Sequence, residues 1–283
     1  MPSVTASRHL EKTGRSLRRP IGPGPATDRR PSAGRTGLRW PWHRTVAWAI
    51  CCALALPGCA EASEDKRTKE GPATATTGAR ILALGDSYTI GESVPEDERW
   101  PVQLTRELAA QGIAAAPPEI IARTGWTTLD LATAVDRAEV SPPYDLVTLL
   151  IGVNDQYQGF ALEAYPSRFS SLLERAIELA GGDRERVIVV SIPDYSVTPF
   201  GQARDPGRIQ RELARVNAIN REITQGAGVA HVDITEQSRL AASDATLIAP
   251  DGLHPSGKMY AEWSAMVLRL AAPRLRGDTR PPS

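Results

Sequence analysis

Beyond residue 80 the chain alternates short, branched apolar runs with longer stretches of helical periodicity, and this alternation restricts the fold more than any other feature. The runs "ILAL" at 81–84, "EIIART" at 119–124, "LVTLLIG" at 146–152, "RVIVVSI" at 186–192 and "VAHVDI" at 229–234 have the length and composition of strands. Near-continuous apolar strands belong to parallel sheets covered on both faces. Between them, Leu162, Tyr165, Phe169, Leu172, Leu173 and Ala176 follow helical spacing, as do Ile209, Leu213, Val216, Asn220 and Ile223. After "HPSGK", Met259, Trp263, Met266, Val267 and Leu270 mark a closing helix. The pattern predicts a three-layer α/β/α sandwich around a mainly parallel, five-stranded sheet. It occupies residues 80–275 as one domain, with residues 276–283 as a tail.

The N-terminal part reads differently. Residues 1–44 are rich in Arg, Pro and Gly without apolar periodicity, which predicts a disordered basic extension. Residues 45–56, "TVAWAICCALAL", form an apolar run behind Arg35, Arg39 and Arg44. The run is too short for a bilayer, which needs about 20 apolar residues, but suits the core of a secretory signal. It ends in "LPGC", which resembles a bacterial lipobox, so Cys59 is the expected lipidation site and residues 45–59 an export signal. The alternative is a signal cleaved nearby with Cys59 incidental. Residues 60–79 are small, polar and mixed in charge, as a flexible linker requires. The expectation is an exported, extracytoplasmic protein anchored to the bacterial cell membrane through lipidated Cys59.

Cysteine and charge narrow the chemistry. The three cysteines, Cys51, Cys52 and Cys59, all precede the domain, which therefore has no thiol for a disulfide, a Cys-based zinc site or a cysteine nucleophile. Of 33 basic and 33 acidic residues, ten basic and two acidic ones precede residue 45, so the remainder is acidic. An acidic domain lacks the concentrated positive charge that nucleic acid binding needs.

In open parallel sheets ligands bind beyond the carboxyl ends of the strands. Four polar stretches lie at such places or before the last helix: "GDSYT", "RTGWTT", "GVNDQYQG" and "DGLHPSG". Ser87 in the first is either a helix cap or a nucleophile presented by the strand. A serine nucleophile needs a base, a group to orient that base, and donors for the oxyanion. The domain has two histidines. His231 lies inside a strand run and reads as a structural residue with a satisfied ring. His254 lies in a Gly- and Pro-containing loop, and Asp251, three residues before it, can fold back to its Nδ1–H around Gly252. Gly125 can offer its backbone N–H, Asn154 its side-chain amide, and Ser87 its own N–H as oxyanion donors, although Gly125 and Asn154 are equally ordinary turn residues.

Taken in order, G-D-S-x-T, then Gly, then G-x-N-D, then D-x-x-H resemble the SGNH (GDSL) hydrolase family over residues 80–273. The four family letters fall on Ser87, Gly125, Asn154 and His254, with Asp251 as partner of the histidine. "GDSYT" departs from the namesake at its fourth letter, and no G-x-S-x-G elbow of the α/β-hydrolase kind is present. The resemblance implies a flavodoxin-like sandwich and hydrolysis of esters or thioesters through an acyl-enzyme, with no metal or organic cofactor. It assigns Ser87, Asp251 and His254 as the catalytic triad, and Ser87, Gly125 and Asn154 as the oxyanion hole. Asp86, Thr89 and Asp155 are expected to brace the loops. Longer similarities in "GESVPEDERWPVQL", "SIPDYSVTPFG" and "DGLHPSGKMYAEW" favour a lysophospholipase- or thioesterase-like member acting on acyl esters, lipids included. Tyr88, Trp126, Tyr157, Tyr195 and Phe200 are the candidate acyl-pocket residues. Three other readings stand beside this one: a carbohydrate acetylesterase, a non-catalytic ligand-binding lipoprotein, and a metallophosphoesterase using Asp86, Asp155, Asp251 and His254.

Overall fold

The computed structural model describes residues 78–160 and 163–277. The expected extension, signal, Cys59 and nearly all of the linker, together with Leu162 and all but two residues of the tail, lie outside the described residues.

Five strands form one sheet: β1 (Ile81–Gly85), β2 (Glu119–Ala122), β3 (Leu146–Leu150), β4 (Val187–Val190) and β5 (Ala230–Val232). All pair in parallel, in the order β2-β1-β3-β4-β5, so the "mainly parallel" sheet is wholly parallel among the described residues. β1 and β3 are buried along their whole length, as is β4, which explains their unbroken apolar runs. The edge strands β2 and β5 are partly exposed and carry the polar Glu119 and His231.

The helices are α1 (Ser87–Ile90), α2 (Trp100–Ala110), α3 (Thr128–Arg137), α4 (Val153–Tyr157), α5 (Tyr165–Leu179), α6 (Pro199–Gln202), α7 (Pro206–Gly226), α8 (Thr235–Arg239) and α9 (Gly257–Arg276). The chain steps from β1 outward to β2, then passes back over β1 to β3 and on to β4 and β5. Right-handed crossovers in these two directions put their helices on opposite faces. Accordingly α2 packs on α9, while α3 packs on α5 and α5 on α7. The helical spacing seen in the sequence is the buried face in each case: Tyr165, Phe169, Leu172, Leu173 and Ala176 on α5, Ile209, Leu213, Val216 and Asn220 on α7, and Met259, Trp263 and Val267 on α9. Met266, Leu270 and Ile223 pack at the margin of the same core.

This strand order has its switch point between β1 and β3, because their connections leave in opposite directions. The register makes the crevice level: Gly85 pairs with Ala122 on one side and with Leu150 on the other. The residues following β1, β2 and β3 therefore emerge side by side.

One expectation needs correction. His231 does lie on β5, but its Nε2 is buried with no hydrogen-bond partner among the described residues, so the ring is not satisfied. Burial lowers its pKa, which keeps the orphaned imidazole neutral. Among the described residues no helix is long and apolar enough to cross a membrane.

Candidate active site

The loop after β1 shows which residue caps α1. Asp86, not Ser87, is the N-cap of α1: its Oδ1 accepts from the Tyr88 N–H at 3.0 Å. Ser87 is the first helical residue, and among the described residues no hydrogen bond engages its hydroxyl. The turn is tight enough to require Gly85, where a Cβ would stand 2.1 Å from Thr89 Oγ1 and 2.5 Å from Leu150 O. Thr89 thus braces the loop by filling the space that the glycine leaves. Asp86 is fully buried, and desolvation pushes its carboxyl up to about 8.

The second element is the turn before α9. Asp251 Oδ2 lies 2.6 Å from His254 Nδ1, while Oδ1 accepts from the backbone N–H groups of Leu253 and His254, each at 2.9 Å. Ser93 Oγ also donates to Oδ2, at 2.7 Å. Partial burial works against ionisation, but the bonds from His254, Ser93 and the two backbone N–H groups outweigh it and hold Asp251 well below the usual carboxylate range. The fold-back predicted around Gly252 is realised, with that residue at φ +72°. The His254 ring is packed edge-on by Tyr88, with centroids 5.6 Å apart, and Tyr88 is in turn packed by Trp263. A neutral imidazole bonded in this way carries its proton on Nδ1 and leaves the Nε2 lone pair free.

The third and fourth elements come from β2 and β3. Gly125 has φ +84° with open space where a Cβ would stand, so backbone conformation rather than crowding selects glycine. Asn154 sits in the first turn of α4 and donates one side-chain N–H to Trp126 O at 2.9 Å. Among the described residues no other hydrogen bond engages this amide. The turn that launches α4 is also crowded: Gly152, at φ +121°, would place a Cβ 2.2 Å from Tyr165 Oη. Next to Asn154, the buried Asp155 accepts Thr128 Oγ1 at 2.6 Å and the Thr128 N–H at 2.9 Å, fastening α4 to the start of α3. Burial raises the Asp155 pKa against the opposing effect of these bonds.

Ser87, Gly125, Asn154 and His254 line one cavity of about 270 Å³. Apart from Thr124, its remaining wall is apolar and aromatic: Val153, Leu253, Tyr88, Tyr157, Tyr195 and Phe200. Phe200 packs between Tyr157 and Tyr195, and Tyr195 Oη is tied to Gln156 Oε1 at 2.9 Å. Four of the five aromatic residues expected at the pocket are there. Trp126 is not: it packs against the core, and only its carbonyl serves the site, through Asn154. The donor set of the two-metal reading does not assemble, because among the described residues no three His, Cys, Asp or Glu side chains group closely enough to hold an ion. Ser93 and Thr128 were missed in the sequence. The T-x-x-D capping box that Thr127 and Asp130 form marks the start of α3, and so the place of Thr128 in its first turn, but not the bond to Asp155. Ser93 had no such marker.

The profile of the GDSL-like lipase/acylhydrolase family matches residues 83–262, which include all four blocks. The chain belongs to this family. As a GDSL-like acylhydrolase family member it is a hydrolase of the ester-cleaving kind. Its fold is that of solved relatives. The lipase/acylhydrolase from Enterococcus faecalis is 23% identical with a TM-score of 0.51, over 72% of this chain and 99% of that one. The family 3 carbohydrate esterase from Clostridium thermocellum is 22% identical with a TM-score of 0.54, over 72% and 100%. An acetylxylan esterase from Geobacillus stearothermophilus is 20% identical with a TM-score of 0.53, over 69% and 94%. No curated protein sequence matches the chain.

Proposed function

We propose that the protein is a serine esterase that cleaves carboxylic esters or thioesters through an acyl-enzyme on Ser87. The observation that carries this reading is the convergence of Ser87, Gly125, Asn154 and His254 on one cavity, with Asp251 2.6 Å behind the His254 ring.

Ser87 Oγ attacks the substrate carbonyl carbon as His254 Nε2 takes its proton. Asp251 fixes the imidazole tautomer and stabilises the imidazolium. The carbonyl oxygen, now negative, is held by the N–H groups of Ser87 and Gly125 and by the free amide N–H of Asn154. His254 then protonates the leaving alkoxide or thiolate, and the acyl group stays on Ser87. Water, deprotonated by His254, repeats the attack and releases the acid. Among the described residues nothing engages the Ser87 hydroxyl, as is common before substrate closes such bonds.

The cavity, about 270 Å³, is near the small end of ligand pockets and has an aromatic wall. This favours esters of short to medium apolar acyl groups, lipid-derived ones included, lying along Tyr157, Tyr195 and Phe200. The small volume also favours a second reading, an acetylesterase acting on carbohydrate; one of the structural relatives is named an acetylxylan esterase and another a carbohydrate esterase. A series of p-nitrophenyl esters from acetate to palmitate, run beside acetylated xylan, separates the two. Activity confined to acetate overturns the lipid reading. Ser87→Ala is expected to abolish turnover and labelling by a fluorophosphonate probe, and a folded Ser87→Ala protein that keeps activity overturns the mechanism.

For location we propose an exported protein tethered through lipid on Cys59, supported by the basic flank, the short apolar run and "LPGC". Cys59→Ala should release the protein from membranes and end incorporation of labelled palmitate. Unchanged membrane association overturns the anchor.

A further inference from the structure

The segment directly after the proposed nucleophile's helix touches two of the three other loops that build the site. Gly91 closes α1 in a left-handed conformation, and the Glu92 N–H returns to Ser87 O at 3.0 Å. The Glu92 carboxylate accepts the Thr124 hydroxyl, one residue before Gly125. Ser93 then donates to Asp251 Oδ2, the same oxygen that His254 Nδ1 contacts, across 158 residues of sequence. Ser93 does this at φ +66°, and it is the only non-glycine residue with positive φ among the described residues. L-residues other than Gly, Asn and Asp seldom adopt that conformation, and a plain turn there would suit glycine better. A serine held in it is over-determined by something else, and its single side-chain bond goes to Asp251.

We propose that Ser93 is a positioning residue for catalysis, a clamp that couples the loop carrying Ser87 to the carboxylate that orients His254. This rests on the triad reading given above. The Ser93 hydroxyl occupies one lone pair of Asp251 Oδ2 and leaves the other to His254 Nδ1. Together with the two backbone N–H groups on Oδ1, it fixes the rotation of the carboxylate about its Cβ–Cγ bond and so the direction in which Oδ2 meets the His254 ring. Because Glu92 returns to Ser87 O and Ser93 follows it, the same clamp limits drift of the Ser87 loop away from the His254 loop. Distances between nucleophile and base that wander by about 1 Å carry a large rate penalty. Ser93 touches neither substrate nor reacting atoms, so its effect belongs in the chemical step and not in substrate binding.

The test uses Ser93→Gly and Ser93→Ala, with p-nitrophenyl butyrate as substrate and thermal unfolding as a control. Glycine relieves the backbone conformation and alanine keeps its strain, yet both remove the hydroxyl. Both variants are expected to lose kcat by on the order of 10-fold with KM unchanged, the effect of one hydrogen bond to a charged group at an exposed site. Equal losses in the two assign the effect to the hydroxyl. In an Asp251→Asn background, Ser93→Gly should cost little further, because the clamp then has no carboxylate to orient. A kcat within two-fold of wild type in Ser93→Gly overturns the proposal, as does an undiminished loss in the Asp251→Asn background. Either result, with Ser87→Ala still inactive, leaves the esterase reading standing. An active Ser87→Ala protein defeats the esterase mechanism and the clamp together.

Discussion

Replacing Asp155 in two ways, by alanine and by asparagine, tests how the site is fastened to the fold. The Asp155 side chain is wholly buried and takes two bonds from Thr128, at 2.6 Å from the hydroxyl and 2.9 Å from the backbone N–H. Its other charged neighbour, Arg168, stands 4.0 Å away. Asp155→Ala strands both Thr128 donors in a site where Thr128 itself is only 1% exposed. Each stranded donor costs about 1–3 kcal/mol, and relief from burying a carboxylate returns part of it. A net loss of roughly 2–4 kcal/mol follows, which for a domain of this size lowers Tm by about 5–15 °C. Asp155→Asn behaves differently. Its Oδ1 accepts the Thr128 N–H, and the Thr128 hydroxyl rotates from donor to acceptor for the new Nδ2. Both Thr128 groups keep a partner and a buried charge is gone, while the second Nδ2 hydrogen and the Thr128 hydroxyl hydrogen lose a charged acceptor, so Tm should fall by less than half of the alanine loss. Differential scanning calorimetry at neutral pH measures both, and ester turnover reports the linked effect on Asn154, the neighbouring residue. Alanine and asparagine variants that melt at the same temperature refute the reasoning, because the hydrogen bonds would then not be what holds α4 to α3.

Two further outcomes follow from the same geometry. Asn154→Ala removes one oxyanion donor and should lower kcat by about 10²–10³ with little change in KM; steady-state kinetics decide, and a raised KM with kcat intact would place Asn154 in substrate binding instead. Asp86, raised by burial to about 8 from 3.8, favours the folded state in its protonated form. Its contribution is fully present below about pH 4 and is lost as pH rises through about 8, a swing on the order of 5 kcal/mol at most. Asp86→Asn should flatten that part of the stability profile in denaturant titrations between pH 4 and 9, and a variant with the wild-type slope would show that Asp86 ionises normally.

The sequence by itself determined the layers, the strands and the order of the four site loops. Each of these is written in local terms. Buried parallel strands demand unbroken apolar runs, helices demand spaced ones, and the turns at Gly85, Gly125 and Gly152 demand a residue without a Cβ or with a left-handed backbone. Asp251 and His254 were legible because three residues and one glycine suffice to fold a carboxylate onto an imidazole. The tertiary structure alone decided which residues support them. That Ser93 reaches Asp251, that Asp155 holds Thr128, that Trp126 lends Asn154 its carbonyl rather than its ring, and that His231 is buried without a partner all depend on parallel register and strand order. Those set which loops become neighbours, and no local period in the chain encodes a pairing made across 158 residues. The role of Ser87 has the same character. The sequence left Ser87 as either a cap or a nucleophile, and only the backbone of the turn after β1 gave the cap to Asp86 and, among the described residues, left the serine hydroxyl unengaged.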